Sequence, residues 1–378
     1  MYNGGDELNA IVCDFGSHRT RMGFAGEDNA RFIDDTRLDG KNINGTMNLE
    51  GYVESMEALE ITFEAGIKRL GIDVISQHPI LWSENSLSNI PRGAINSDAN
   101  NPTPSKQERE TLAEVFFEKY DVPAYFVSKA AVLTCFANGR STGLVVEMGH
   151  GGTSIIPVQE GYVISRNATR SACGGFALDE FLKHRVNERL VAMSGQQVQR
   201  QIQWSTVRDI KESVCRVSET SFDEKSNTQI PQIPYELPDG TIVPMGAERF
   251  SVAERYFQYE EVNENSSLAE VGLYLPGIIC DTAAKCETDL KKEMFQSIIL
   301  TGGSSCFENM QNRLEREVVA SVQSLTKVKV LAANPPERKL GAFLGGSILG
   351  SLGSFHEMWI SKAEYAEHGS SLVQKKCP

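Results

Sequence analysis

A short pattern that occurs twice constrains this chain more than any other feature. Ile11-Val12-Cys13-Asp14-Phe15-Gly16-Ser17 reads as an apolar strand that reaches an acid and turns on Gly-Ser, and the run to Gly26 returns with a cation at Arg21. The pattern predicts a β-hairpin whose tip offers free backbone N–H groups, a hydroxyl and a positive charge. A polyphosphate suits such a tip: amides hold its oxygens, Gly16 lets the backbone approach, and Arg21 balances charge. Asp14 stands where a strand delivers a carboxylate toward a metal–phosphate pair. Taken alone, the stretch is also an ordinary hairpin with a glycine turn, and that is the simpler reading.

The repeat changes the balance. Val145-Val146-Glu147-Met148-Gly149-His150-Gly151-Gly152-Thr153-Ser154-Ile155-Ile156 has the same apolar lead and the same acid-x-Gly core, with Glu147 and Gly149 in step with Asp14 and Gly16, and Thr153 in step with Thr20. A third apolar run, Ile298-Ile299-Leu300-Thr301, ends on Gly302-Gly303. Two matching hairpins predict two related lobes, each offering a loop to one ligand.

At 378 residues the chain is long enough for two such lobes, and 40% hydrophobic content supports a folded core. Its net charge of −13 argues against direct strong binding to nucleic acid, which needs a basic face. The eight cysteines (13, 135, 173, 215, 280, 286, 306 and 377) contain no CxxC, so reduced core thiols in a cytosolic or nuclear protein are expected. The six histidines are dispersed and suggest no zinc site. No signal peptide is read at Met1 to Glu7, and no apolar run reaches the length of a membrane span.

Local signals place elements between the motifs. Residues 31 to 60 are polar and turn-rich, with Asp39-Gly40 and Asn44-Gly45, and predict a small lobe or loop. Helices are predicted from Ala58 to Leu70, stopped by Gly71; from a capping box at Ser105-x-x-Glu108; from Val132 to Asn138; from Phe176 to Leu190; from Trp204 to Val217; and from Phe307 to Ser321. Leu344 to Phe355 is apolar and glycine-spaced, as a close-packed helix would be, and Pro335 to Lys339 reads as a rigid turn.

These residues resemble actin and the actin-related proteins over nearly the whole chain. The likeness rests on Asp14-Phe15-Gly16-Ser17, Gly23-Phe24-Ala25-Gly26, Ala137 to Gly143, Arg208 to Glu212, Tyr235 to Gly240, Thr301-Gly302-Gly303, Pro335 to Lys339, Gly345 to Leu349 and Met358 to Lys362. Gly4 to Glu7, Arg21, Lys129 to Thr134 and the ending Lys376-Cys377-Pro378 narrow it to the nuclear branch, subunits of chromatin remodellers and of a histone acetyltransferase complex. The resemblance implies an α/β fold of the actin-like, duplicated ribonuclease H-like kind, two-lobed with a nucleotide cleft. One lobe would hold residues 1–137 plus 341–378, with a shortened small subdomain at about 31–65. The other would hold 138–340, with a small subdomain at about 174–265.

The resemblance also implies ATP or ADP with Mg2+ or Ca2+. Gly16, Ser17 and Arg21 would hold the phosphates from one side and Gly149, His150, Gly151 and Gly152 from the other. Lys211 and Glu212 would flank the ribose and base, Gly302, Gly303 and Phe307 would line the nucleoside, and Lys339 would close over the base. Asp14 and Glu147 would face the metal. Phe136, Leu349 and Leu352 would line a groove that takes an amphipathic helix of a remodeller motor or scaffold subunit, beside conventional actin.

Departures from conventional actin shape the expected activity. Ala130 stands where a glutamine positions water, Ser154 where a histidine assists, and His150 where an acid sits on the metal side. Cleaving ATP needs an oriented water and stabilised charge at the γ-phosphate, so the expectation is nucleotide binding with little or no hydrolysis. The interval from Arg31 to His78 is short, which removes a filament contact, so no homopolymer is expected. The segment from Leu87 to Asn101 looks extended. The nuclear location follows from kinship alone, since no basic import cluster is evident. The competing expectation is a cytoplasmic, filament-forming ATPase.

Overall fold

The structure is a computed structural model that describes residues 9–38, 41–42, 46–87, 104–194, 202–224, 230–258, 272–322 and 326–377. The expectations for Gly4 to Glu7, Asp39-Gly40, Asn44-Gly45, Pro378 and the segment beyond Leu87 to Asn101 lie outside these residues.

The sequence repeat is a repeat of topology. One six-stranded sheet runs Ile360–Ser361, Ala124–Lys129, Ile80–Glu84, Ile11–Phe15, Arg19–Phe24 and Phe32–Asp35. The other runs Tyr162–Val163, Thr153–Gln159, Gly143–Met148, Ile298–Thr301 and Val330–Ala332, with Thr169–Ser171 also on Thr153–Gln159. Each acid-x-Gly motif closes an antiparallel hairpin, with Asp14 opposite Arg21 and Glu147 opposite Ser154. In each sheet the first hairpin strand then has a parallel neighbour, Ile80–Glu84 or Ile298–Thr301, and a further parallel strand beyond it. Parallel strands covered on both faces read as continuous apolar runs, as Ile11-Val12-Cys13 and Leu144-Val145-Val146 do.

Three apolar clusters follow. One gathers the first sheet with Phe63, Phe116, Phe343 and Trp359. Another gathers the second sheet with Leu178, Tyr256, Ile279 and Leu314. The third lies between them, where Ala131, Val132 and Cys135 meet Val145, Ile156, Val158 and Ile299.

Two helices run through this middle region, Ala130–Ala137 and Gly341–Ser351, and glycine permits their contact. A Cβ on Gly345 would lie 1.8 Å from the carbonyl oxygen of Leu133, so only a residue without one allows the backbones to approach so closely. Other boundaries shift from the sequence reading by a few residues. The first long helix is Met56–Leu70, with Ser55 Oγ accepting from Ala58 N–H and Gly71 as the left-handed stop. The helix expected to open with a Ser105 capping box already begins at Pro104, and Glu108 instead accepts the Val53 N–H at 3.3 Å. Pro335–Lys339 is a short helix rather than a turn.

Candidate functional site

The tips of the two acid-x-Gly hairpins face one another across a cavity of about 680 Å³. Asp14, Gly16, Ser17 and Arg21 line it from the first sheet, and Glu147, Gly149, His150, Gly151 and Gly152 from the second. The Trp204–Val214 helix contributes Lys211 and Glu212. Gly302, Gly303 and Phe307 follow the Ile298–Thr301 strand, and Lys339 ends the short Pro335–Lys339 helix. All fifteen residues that the resemblance assigned to nucleotide and metal therefore border one space.

The wall supplies more than those residues. Leu49 to Gly51 lies against the second hairpin tip so closely that a Cβ on Gly151 would stand 1.7 Å from the Leu49 carbonyl oxygen. Arg170 donates to the carbonyls of Glu50 at 2.8 Å and Leu49 at 3.2 Å, and Asn85 Nδ2 also donates to Glu50 O. This pins a segment of the first lobe to the second. Arg170, Asn85, His18 and Arg208 are wall residues that sequence reasoning missed, since each is a single polar residue with no spacing to mark it.

Charge on the wall is locally balanced. Arg21 meets Asp14 at 3.1 Å and Lys339 meets Glu212 at 3.0 Å. Lys211 borders the cavity while its ammonium reaches Asp179 at 2.6 Å and the Gly175 carbonyl at 3.1 Å, which holds it in the wall. Glu147 accepts from Ser86 Oγ at 2.9 Å, and the same hydroxyl accepts the Ala131 N–H at 2.7 Å. Burial, with the charge of nearby Asp14, raises the Glu147 carboxyl to about 7. Two carboxylates so placed fit a divalent cation, which would relieve that cost. Ala130 lines the cavity with no hydrogen-bonding side chain, and Ser154 lines it with a hydroxyl.

The three residues assigned to a helix-binding groove lie elsewhere. Leu352 is 46% exposed, and Phe136 is half-buried between two clusters. Leu349 is only 4% exposed and packs into the first core, because its helical phase points inward. Ile348 and Met358, at 44% and 42%, are exposed apolar residues near Leu352 in the chain.

The family model for actin matches residues 5–378. The chain belongs to the actin family. Among curated proteins, it is 34% identical over 458 aligned positions to actin-related protein 4 of Arabidopsis thaliana, covering the whole of both chains. It is likewise 34% identical over 452 positions to proteins of the same name from Oryza sativa, subspecies indica and japonica. The duplicated α/β architecture expected from the sequence is thus the actin fold, with its two lobes facing one cleft.

Proposed function

We propose that this actin-family protein is a nucleotide-binding structural subunit of nuclear chromatin-remodelling or histone acetyltransferase complexes that does not polymerise and hydrolyses ATP slowly or not at all. The observation that carries the reading is the wall of the cleft. Two glycine-rich tips, two carboxylates and a base-side pair of Glu212 and Lys339 are retained in one cavity, whereas Ala130 brings no hydrogen-bonding side chain and Ser154 only a hydroxyl, which is no general base.

The residues fit the absent groups. The tips at Gly16-Ser17 and Gly149 to Gly152 would close around phosphates, with the Gly16 and Gly149 amides closing their own turns onto the Arg19 and Gly152 carbonyls, and Asp14 and Glu147 would hold Mg2+ or Ca2+. Phe307 would pack the nucleoside. A cation at Asp14 and Glu147 would neutralise phosphate charge, and a nucleotide held by residues of both lobes would stabilise the closed form by mass action. The likeness to proteins named actin-related protein 4 supports a subunit role over a filament role. Conventional actin and an amphipathic helix seated near Phe136, Ile348 and Leu352 are the partners this reading names.

The test is the nucleotide content of the purified protein, its phosphate release and its sedimentation with magnesium. The expected result is about one nucleotide per chain, negligible turnover and no pelleting. Steady phosphate release at the rate of conventional actin would overturn the reading.

A further inference from the structure

We propose that His18 and His150 form a latch across the phosphate end of the cleft, which sets how fast a bound nucleotide leaves and opens on protonation of His18. The proposal rests on the nucleotide-binding reading and adds a regulation of that same site.

The two imidazoles come from the two opposed tips, His18 from the first lobe and His150 from the second, with ring centroids 4.6 Å apart. The stack continues into the second lobe through Phe176, at 5.6 Å from His150, and Trp204, at 5.5 Å from Phe176 with nearly parallel planes. Lys183 Nζ lies 4.2 Å above the Trp204 ring. The chain of contacts then returns to its start. Arg208, one turn beyond Trp204 on the same helix, places Nη1 3.3 Å from His18 Nε2. A guanidinium only donates, so His18 Nε2 is the acceptor and its proton sits on Nδ1. That Nδ1 is buried with no hydrogen-bond partner on another residue among the described residues. The first hairpin tip is thus held to the second lobe by a ring of contacts that requires a neutral His18.

The groups facing His18 decide the sign. Burial is the largest effect, and Arg208 and Arg19 also oppose a charge there, while Asp35 favours one; together they hold the imidazole at about 4. Once the cleft opens, a hydrated imidazole returns to its ordinary value near 6.5. The closed form therefore keeps its full advantage above about 6.5 and loses it as pH falls toward 4. Linkage of this one group makes opening about tenfold more favourable at pH 5.5 than at pH 7.5.

Release of a fluorescent ADP analogue, chased with unlabelled ADP, tests this in the full chain. Wild type is expected to release about ten times faster at pH 5.5 than at 7.5. His18→Phe keeps a ring in the stack and is expected to release slowly at both, and His18→Ala fast at both. An equal pH response in His18→Phe and wild type, or slow release from His18→Ala, would overturn the latch. If no analogue binds at all, the nucleotide reading fails on its own. The latch is then read in nucleotide-free protein from Trp204 emission, taken as the difference from Trp204→Phe. A change between pH 7.5 and 5.5 that is absent in His18→Phe supports it; no change, or the same change in both, rejects it. Circular dichroism melts show that each variant is folded.

Discussion

Lys211 lies on the cavity wall yet directs its charge to Asp179, which is itself buried. Removing one partner strands the other charge, and such losses cost about 3–5 kcal/mol. Lys211→Met is therefore expected to lower unfolding free energy by about that much in urea titrations, and adding Asp179→Leu should recover most of it. Glu108 makes the opposite kind of pH contribution. Burial, with Glu84 nearby, raises its carboxyl to about 7, although the Val53 N–H pulls the other way. A raised carboxyl stabilises the fold fully only below the unfolded value near 4.3 and loses that contribution as pH climbs through 7. Glu108→Gln should thus gain about 2–3 kcal/mol on wild type between pH 5 and pH 8, measured by denaturant titration at each pH.

At the scale of elements, the contact between the Ala130–Ala137 and Gly341–Ser351 helices is the tightest constraint. Gly345→Ala is expected to cost about 3 kcal/mol or more, since its Cβ meets backbone and no rotamer change can relieve it. Gly353→Ala, where the new Cβ meets nothing, should be neutral or slightly stabilising in the same thermal melts. The glycine spacing from Leu344 onward announced this close-packed helix, and the acid-x-Gly repeat announced both hairpins, because each imposes a local periodicity. What stayed illegible depends on distant partners. Nothing local in the sequence ties Arg170 to the carbonyls of Leu49 and Glu50, or Ser86 to Glu147. Leu349 and Ile348 are adjacent apolar residues, and only the helix's phase against the first core separates the inward one from the outward one.

For the molecule as a whole, the lobes are joined at the cleft by backbone as well as by side chains. Arg170 holds Leu49 and Glu50 with two charge-assisted bonds, each of a kind that contributes about 1.5–3 kcal/mol. Arg170→Ala should raise amide hydrogen exchange around residues 46–53 by roughly ten- to a hundredfold, with little change in the strands of either sheet. The Gly341–Ser351 helix has a wider consequence. Its first residues, Gly341 and Ala342, border the cleft, and it runs out to exposed Ile348 and Leu352, about 10 and 16 Å away. The Gly345–Leu133 approach limits the sideways play of this stiff rod, so a displacement at its cleft end is carried along its axis to its exposed end.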